Sequence, residues 1–374
     1  MKYLFLVGSV ILGSLSQAQS DFTYKTSGQL LVEAYTYLGN EETEKAIDVF
    51  SEINESDSLY SSAQLSKLVS QFSLNDFIGA IESCDELLHR DLDLLEVAYE
   101  WKIKSLTKLQ KFDNAHEIIA IGKKKYPLYF KYDFEKAKLL LEEKKYEEAK
   151  KLLQTILLTH PEHSASHYEL ANLMAEEGAK LEALLGYQMA IMINRSSTVL
   201  QKSYVGMEDV IQNNFEIKNE KAKNKYFKPI NNMIESGLAI KPGYKSALNL
   251  NYMVDKVCDL IFNQFNYEKG TGNFSMEYYG KFFGEIKKQE LEIGYTLYVL
   301  SVINNSNING AIEKNKAVFN KFETKLYDYW HAHLQNYKYP INGKTYDKDY
   351  INEVKGKLIA VGNRNDDDNR QGSW

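Results

Sequence analysis

Residues 130–163 read FKYDFEKAKLLLEEKKYEEAKKLLQTILLTHPEH. The second half carries Tyr146, Ala149, Leu152, Leu153 and Ile156. Their spacings of three and four put all five on one helical face. The stretch recurs along the chain. Ala46, Ala80, Ala115, Ala149 and Ala183 follow one another at steps of 34, 35, 34 and 34. Phe77, Phe112 and Tyr146 each stand three positions before an alanine, and Pro127 and Pro161 each follow one by twelve. A small residue and a proline at fixed offsets in such a period predict a solenoid of helix-turn-helix units. Alanine lets neighbouring helices approach closely where leucine would overlap its neighbour.

Working outward, the first unit pairs a helix around Leu30–Leu38 with one around Glu44–Ile53, across the turn Gly39-Asn40-Glu41. Further units cover about 61–95, 96–129, 130–163 and 164–197. These units resemble tetratricopeptide repeats, which have small residues at positions eight and twenty and proline near thirty-two. Ala137, Tyr146, Ala149 and Pro161 carry the likeness in the fourth unit, and Ala171, Ala183, Tyr187 and Ala190 in the fifth. The fifth has Arg195 at the proline position, and the third has Ile103 at position eight. The resemblance implies an all-α, tetratricopeptide-like helix-turn-helix solenoid of about five repeats over 27–197.

The remainder lacks the alanine period. Residues 198–229 read as a connecting segment, with a boundary at Lys228-Pro229 because the residue before proline disfavours helix. Residues 230–335 read as a helical cap or companion domain. It has helices over Ile230–Ile240, Leu248–Phe265, Met276–Ile286, Leu291–Ile303 and Ala311–Leu334, with an Asn-rich turn at 304–310. Residues 336–374 read as a loosely ordered tail ending in Asp366-Asp367-Asp368.

The 374-residue chain carries a net charge of -6 and 26% charged residues, which gives no basic excess pointing to nucleic acid. Lys2, the apolar run Tyr3–Leu12 and Ser16-Gln17-Ala18 read as a signal peptide over 1–18, cleaved after Ala18. No later run is apolar enough to cross a membrane, so no integral membrane segment is expected after cleavage. The expectation is an exported protein, periplasmic or at the cell surface, without a lipid-anchoring cysteine. Cys84 and Cys258 lie in helical apolar patterns and read as buried free thiols.

Motifs for chemistry are sparse. The sequence has no P-loop, HExxH or GxSxG, so neither enzyme activity nor a cofactor or metal is expected. His160, His163 and His167 straddle Pro161 and read as an inter-repeat turn. Lys269-Gly270-Thr271-Gly272 reads as a connecting turn, since no strand precedes it. Tyr278, Tyr279, Phe282 and Phe283 form an aromatic ridge suited to core packing or, alternatively, to stacking on sugar rings. The resemblance implies a protein or peptide ligand along the first helices of successive units. Lys104, Lys138 and Asn172 occupy position nine of units three to five, with Phe134 and Tyr168 at position five and Trp101 beside them. They form either a peptide-binding groove that grips a carboxylate or an ordinary solvated face. Glycan binding through the C-terminal aromatics is the alternative function.

Overall fold

The computed structural model describes residues 25–90, 95–193, 198–218, 224–237, 241, 243–250, 252–336, 339–341 and 344–346, with side chains up to 329. The expected signal peptide, Arg195 and the last 28 positions lie outside the described residues. By contact density the chain forms two compact units, Met1–Ala149 and Lys150–Trp374.

The first unit is a run of helix hairpins: α1 (Ser27–Gly39), α2 (Thr43–Ser51), α3 (Tyr60–Ser73), α4 (Phe77–His89), α5 (Leu95–Lys108), α6 (Phe112–Lys125) and α7 (Lys131–Glu142). Each helix packs on the next, and α5 also meets α3 and α7, as a stack requires. Helix α8 (Tyr146–Thr159) contains the division between the units. The second unit continues with α9 (Ser164–Glu176), α10 (Lys180–Ile193), α11 (Thr198–Gln212), α12 (Lys228–Glu235) and α13 (Met253–Gln264). A π-helical turn at Met276–Gly280 leads into α14 (Lys281–Lys288). Then follow α15 (Glu292–Leu300), α16 (Ser306–Lys314) and α17 (Lys316–Asn336). A short antiparallel hairpin, β1 (Tyr339–Ile341) and β2 (Lys344–Tyr346), pairs Tyr339 with Tyr346.

The predicted alanines have no exposed surface: Ala46, Ala80, Ala115, Ala149 and Ala183 are all at 0%. Solenoid-like pairing of helices is therefore the architecture. Where the first hairpin meets α3, Ala34, Ala46 and Ala63 share a cluster with Leu30, Leu31 and Phe50. Gly122 lies so close to the Tyr132 ring that an added Cβ would stand 2.9 Å from it. Tyr132 is completely buried and its hydroxyl donates to the Glu96 carbonyl at 2.9 Å.

The backbone carries a second period. Glu41, Asn75, Gln110, Lys144, Gly178 and Asn213 all have φ between 58° and 77°. They recur at steps of 34, 35, 34, 34 and 35, and each closes the first helix of a pair. After each, the next N–H reaches back five residues: Glu42 to Tyr37 (2.9 Å), Asp76 to Gln71 (2.9 Å), Lys111 to Leu106 (2.9 Å), Lys145 to Leu140 (2.8 Å), Ala179 to Met174 (2.8 Å) and Asn214 to Asp209 (2.8 Å). This is the Schellman closure, which satisfies the last carbonyls of a helix and needs one left-handed residue. Glu290 and the Leu291-to-Ile286 bond (3.1 Å) repeat it between α14 and α15. The turn at Asn213 is a sixth copy, beyond the last alanine of the ladder.

Helix α10 differs from a surface repeat helix. Every residue from Leu181 to Met192 is buried, and α9, α11, α12 and α15 all pack on it. A helix apolar on all sides is a core helix. Gly186 permits the approach of α9, since its Cβ would meet that of Ala171 at 2.9 Å.

Three predicted helices are corrected. The helix expected over Leu248–Phe265 begins only at Met253, because Asn249 is left-handed (φ 51°) and carboxylates of α13 hold the preceding backbone. Asp255 accepts from Leu250 N–H at 3.0 Å, and Asp259 from Ala247 N–H at 3.1 Å. The helix expected over Ala311–Leu334 is two helices, interrupted at Asn315 (φ -115°, ψ 25°), and the first starts inside the expected Asn-rich turn. Asn305 caps that start, accepting from Ile308 N–H at 3.0 Å. Helix α12 ends at Glu235 and has Pro229 in its first turn, where the missing N–H costs nothing.

Candidate functional site

Helices α5 and α7 bring four of the predicted residues into the first unit. Lys104, one turn after Glu100 on α5, is ion-paired with it, and its Nζ also lies 3.7 Å from Oε1 of Glu135 on α7. Lys138 pairs with Glu135 at 3.2 Å, and Lys131 approaches Glu100 at 3.6 Å. Tyr129 donates its hydroxyl to Glu100. Glu100 and Glu135 are buried, 6% and 4% exposed. Burial pushes the Glu100 carboxyl up, but Lys104 and Lys131, with hydrogen bonds from Lys104 and Tyr129, bring it below its ordinary value.

The period explains the arrangement, because position nine of one unit falls beside position six of the next. It also changes the chemistry expected of the lysines. A clamp for a ligand's carboxylate needs ammonium groups left for the ligand, whereas these are already held by carboxylates of the chain. Glu135 is the hub that sequence reasoning missed. Its signal was available: it stands three residues before Lys138, within reach of the same helical face.

Trp101 is half-buried, with Lys104 Nζ 4.1 Å from its ring centroid and Phe72 edge-on at 5.1 Å. Phe134 is only 9% exposed and lies under Lys138, 5.7 Å from its Nζ, so it belongs more to the core than to a groove. The two remaining predicted residues are in the second unit. Asn172 accepts from the Tyr187 hydroxyl at 2.6 Å, and Tyr168 lies 6.0 Å from the same ring. Both are half-buried, and Tyr187 is completely so.

The predicted ridge is not an exposed platform for sugar. Tyr278, Tyr279, Phe282 and Phe283 are 6%, 0%, 1% and 0% exposed. They sit in the core of the second unit because the π turn and α14 face inward, with Tyr279 meeting His167. His167 is fully buried in α9, where its Nε2 donates to the Pro161 carbonyl (2.9 Å) and its Nδ1 accepts from the Tyr279 hydroxyl (3.0 Å). Burial lowers its pKa from 6.5 to about 3, so it is neutral. This histidine is a core residue, not part of a polar turn. Among the described residues no group of three His, Cys, Asp or Glu is placed to hold a metal.

Lys269–Gly272 is a connecting turn, with Gly270 and Gly272 left-handed (φ 76° and 69°). Its backbone holds the chain's own Glu277, whose carboxylate accepts from Thr271 N–H at 2.6 Å. Cys84 and Cys258 are buried free thiols, and burial pushes the Cys84 thiol up to about 12. No described helix is long and apolar enough to cross a membrane.

No family model matches the chain, and no curated protein matches it. Among solved structures it is similar to "MamA RS-1 ArsTM double mutant", at 14% identity over 48% of this chain and 98% of that one, with a TM-score of 0.36. The repeat architecture rests on the chain's own helix pairs and turns.

Proposed function

We propose that this chain is a tetratricopeptide-like interaction scaffold without catalytic activity. It is exported to the periplasm or cell surface and holds a protein or peptide partner on the first-helix face of its first unit. The observation that carries the reading is the α5/α7 face. Trp101 on α5 is half-buried and edged by Phe72, and Lys131 and Lys138 on α7 have side chains 45% and 37% exposed. An apolar partner residue packs against Trp101, and polar groups of the partner meet the rim, where Lys131 and Lys138 stay paired with Glu100 and Glu135.

The test is crosslinking capture from the native envelope with the exported form as bait. Trp101→Ala and Lys138→Glu are expected to abolish or strongly reduce recovery of one stoichiometric protein. Capture unchanged by both variants refutes the assignment of this face. Sequencing the amino terminus of the exported form tests cleavage after Ala18.

A further inference from the structure

The second unit contains a cavity of about 480 Å³ walled by the α9–α10 turn, the start of α8's second half, the residues before α12 and the loop before the π turn. Two of its lining carboxylates are almost without exposed surface: Glu177 at 2% and Glu182 at 4%. Lys150 lines the same wall and pairs with Glu177 Oε2 at 2.6 Å. Glu177 Oε1 is buried and has no hydrogen-bond partner among the described residues. An ionised oxygen in that situation is costly unless something donates to it. Glu182 accepts from Asn231 Nδ2 at 3.4 Å. Burial raises the Glu182 carboxyl above its ordinary value, and its own backbone N–H, Asn231, Lys150 and Asn224 offset this only in part. The lining therefore holds two buried carboxyl groups, of which Glu177 is paired with Lys150, and Lys225 lines the cavity too. Met174 and Phe274 supply apolar surface nearby, and Tyr226 at the rim already carries a cation over its ring, Lys225 Nζ at 4.8 Å.

We propose that this cavity binds the primary ammonium group of an alkylamine, the head donating to Glu177 Oε1 beside Glu182 and the stem lying along Met174 and Phe274. The source is either a free small amine or a lysine side chain of a polypeptide.

The test uses the full exported chain, deuterated, with amide spectra recorded against n-butylammonium chloride and, separately, 1-butanol. The amine is expected to shift the amides of Gly178, Ala179 and Asn273 saturably, and the alcohol is not. Glu177→Gln and Glu182→Gln are each expected to weaken the amine by about tenfold or more. A doubly capped Gly-Lys-Gly peptide that matches butylammonium identifies the lysine source, and one that binds far more weakly identifies the free amine. Equal shifts from alcohol and amine, no saturable shift, or full affinity in both Gln variants overturns the proposal. If Glu177→Gln does not fold, Glu182→Gln and the amine–alcohol contrast on the unaltered chain still decide it. Partner capture through Trp101 is read separately, so the two proposals fail independently.

Discussion

Helix α4 in the first unit and helix α10 in the second hold the same place in the repeat, yet they bury themselves differently. Helix α4 hides Ala80, Cys84 and Leu87 and leaves Ile78 61% exposed. Helix α10 hides nearly all its residues and takes Glu182 and Gln188 inside with them. Gln188 is satisfied there by the Tyr295 hydroxyl, at 2.5 Å. A helix that packs only on its sequence neighbours needs apolar residues on one face. A helix wrapped by later segments needs them all round, and its polar groups must find partners within the core. The first unit is thus stabilised neighbour by neighbour, and the second as a block with polar contacts at its centre.

The largest test of this contrast is pH. The unfolded chain protonates His167 below its ordinary pKa of 6.5, and the folded chain only near 3. The His167 contribution to the stability of the second unit is therefore complete above pH 6.5 and falls as pH drops toward 3, by up to on the order of 4 kcal/mol. Glu182 and Asp255, whose carboxyls burial raises, act in the opposite direction. The measurement is therefore the difference between wild type and His167→Gln in chemical denaturation at several pH values, and identical pH profiles refute it. Glu100 in the first unit is held below its ordinary 4.5. Its contribution is present above that value and goes only as pH falls through the lowered one. Hydrogen exchange should then show that lowering the pH toward 5 loosens the second unit more in wild type than in His167→Gln, with the first unit alike in both.

Gly294→Ala comes next. Its Cβ would stand 2.6 Å from the Val318 carbonyl oxygen and 2.8 Å from Phe322 Cβ, so α15 and α17 must separate. A loss of about 3 kcal/mol is expected. A melt within experimental error of wild type would show that the block is looser than described. Lys104→Met is expected to cost about 2 kcal/mol, because Glu100 and Glu135 lose their shared cation while Lys131 and Lys138 remain. Amides of α5 and α7 should exchange faster, with the second unit unchanged. The smallest effects lie at the turns. Glu41→Gly, Gln110→Gly and Lys144→Gly relieve left-handed strain and should each stabilise by about 0.5–1 kcal/mol, whereas Gly178→Ala should destabilise by about 1 kcal/mol. Calorimetry on the single and triple variants checks the sign.

The repeat was legible because close helix packing leaves a side-chain record, the alanine ladder. The period of left-handed residues was not, since only Gly178 of its six positions is a glycine. The start of α13 escaped for a related reason. Leu248 and Leu250 extend its apolar period, but Asp255 and Asp259 hold that segment outside the helix. The polar ladder of Lys104 and Lys138 was legible as spacing, but its neutralisation by Glu100 and Glu135 depends on adjacent units and needed the fold. The burial of His167 and of the ridge at Tyr278–Phe283 depends on contacts over 100 residues apart in sequence, which no local pattern encodes.

The evenly spaced bends have a mechanical corollary. Each marks a cassette of 34 or 35 residues whose full extension is roughly 120 Å. Pulled from its ends, the first unit should yield in a sawtooth of nearly equal lengths as one cassette after another gives way. The second, with α10 clasped on every side, should hold and then release its length in a single larger event.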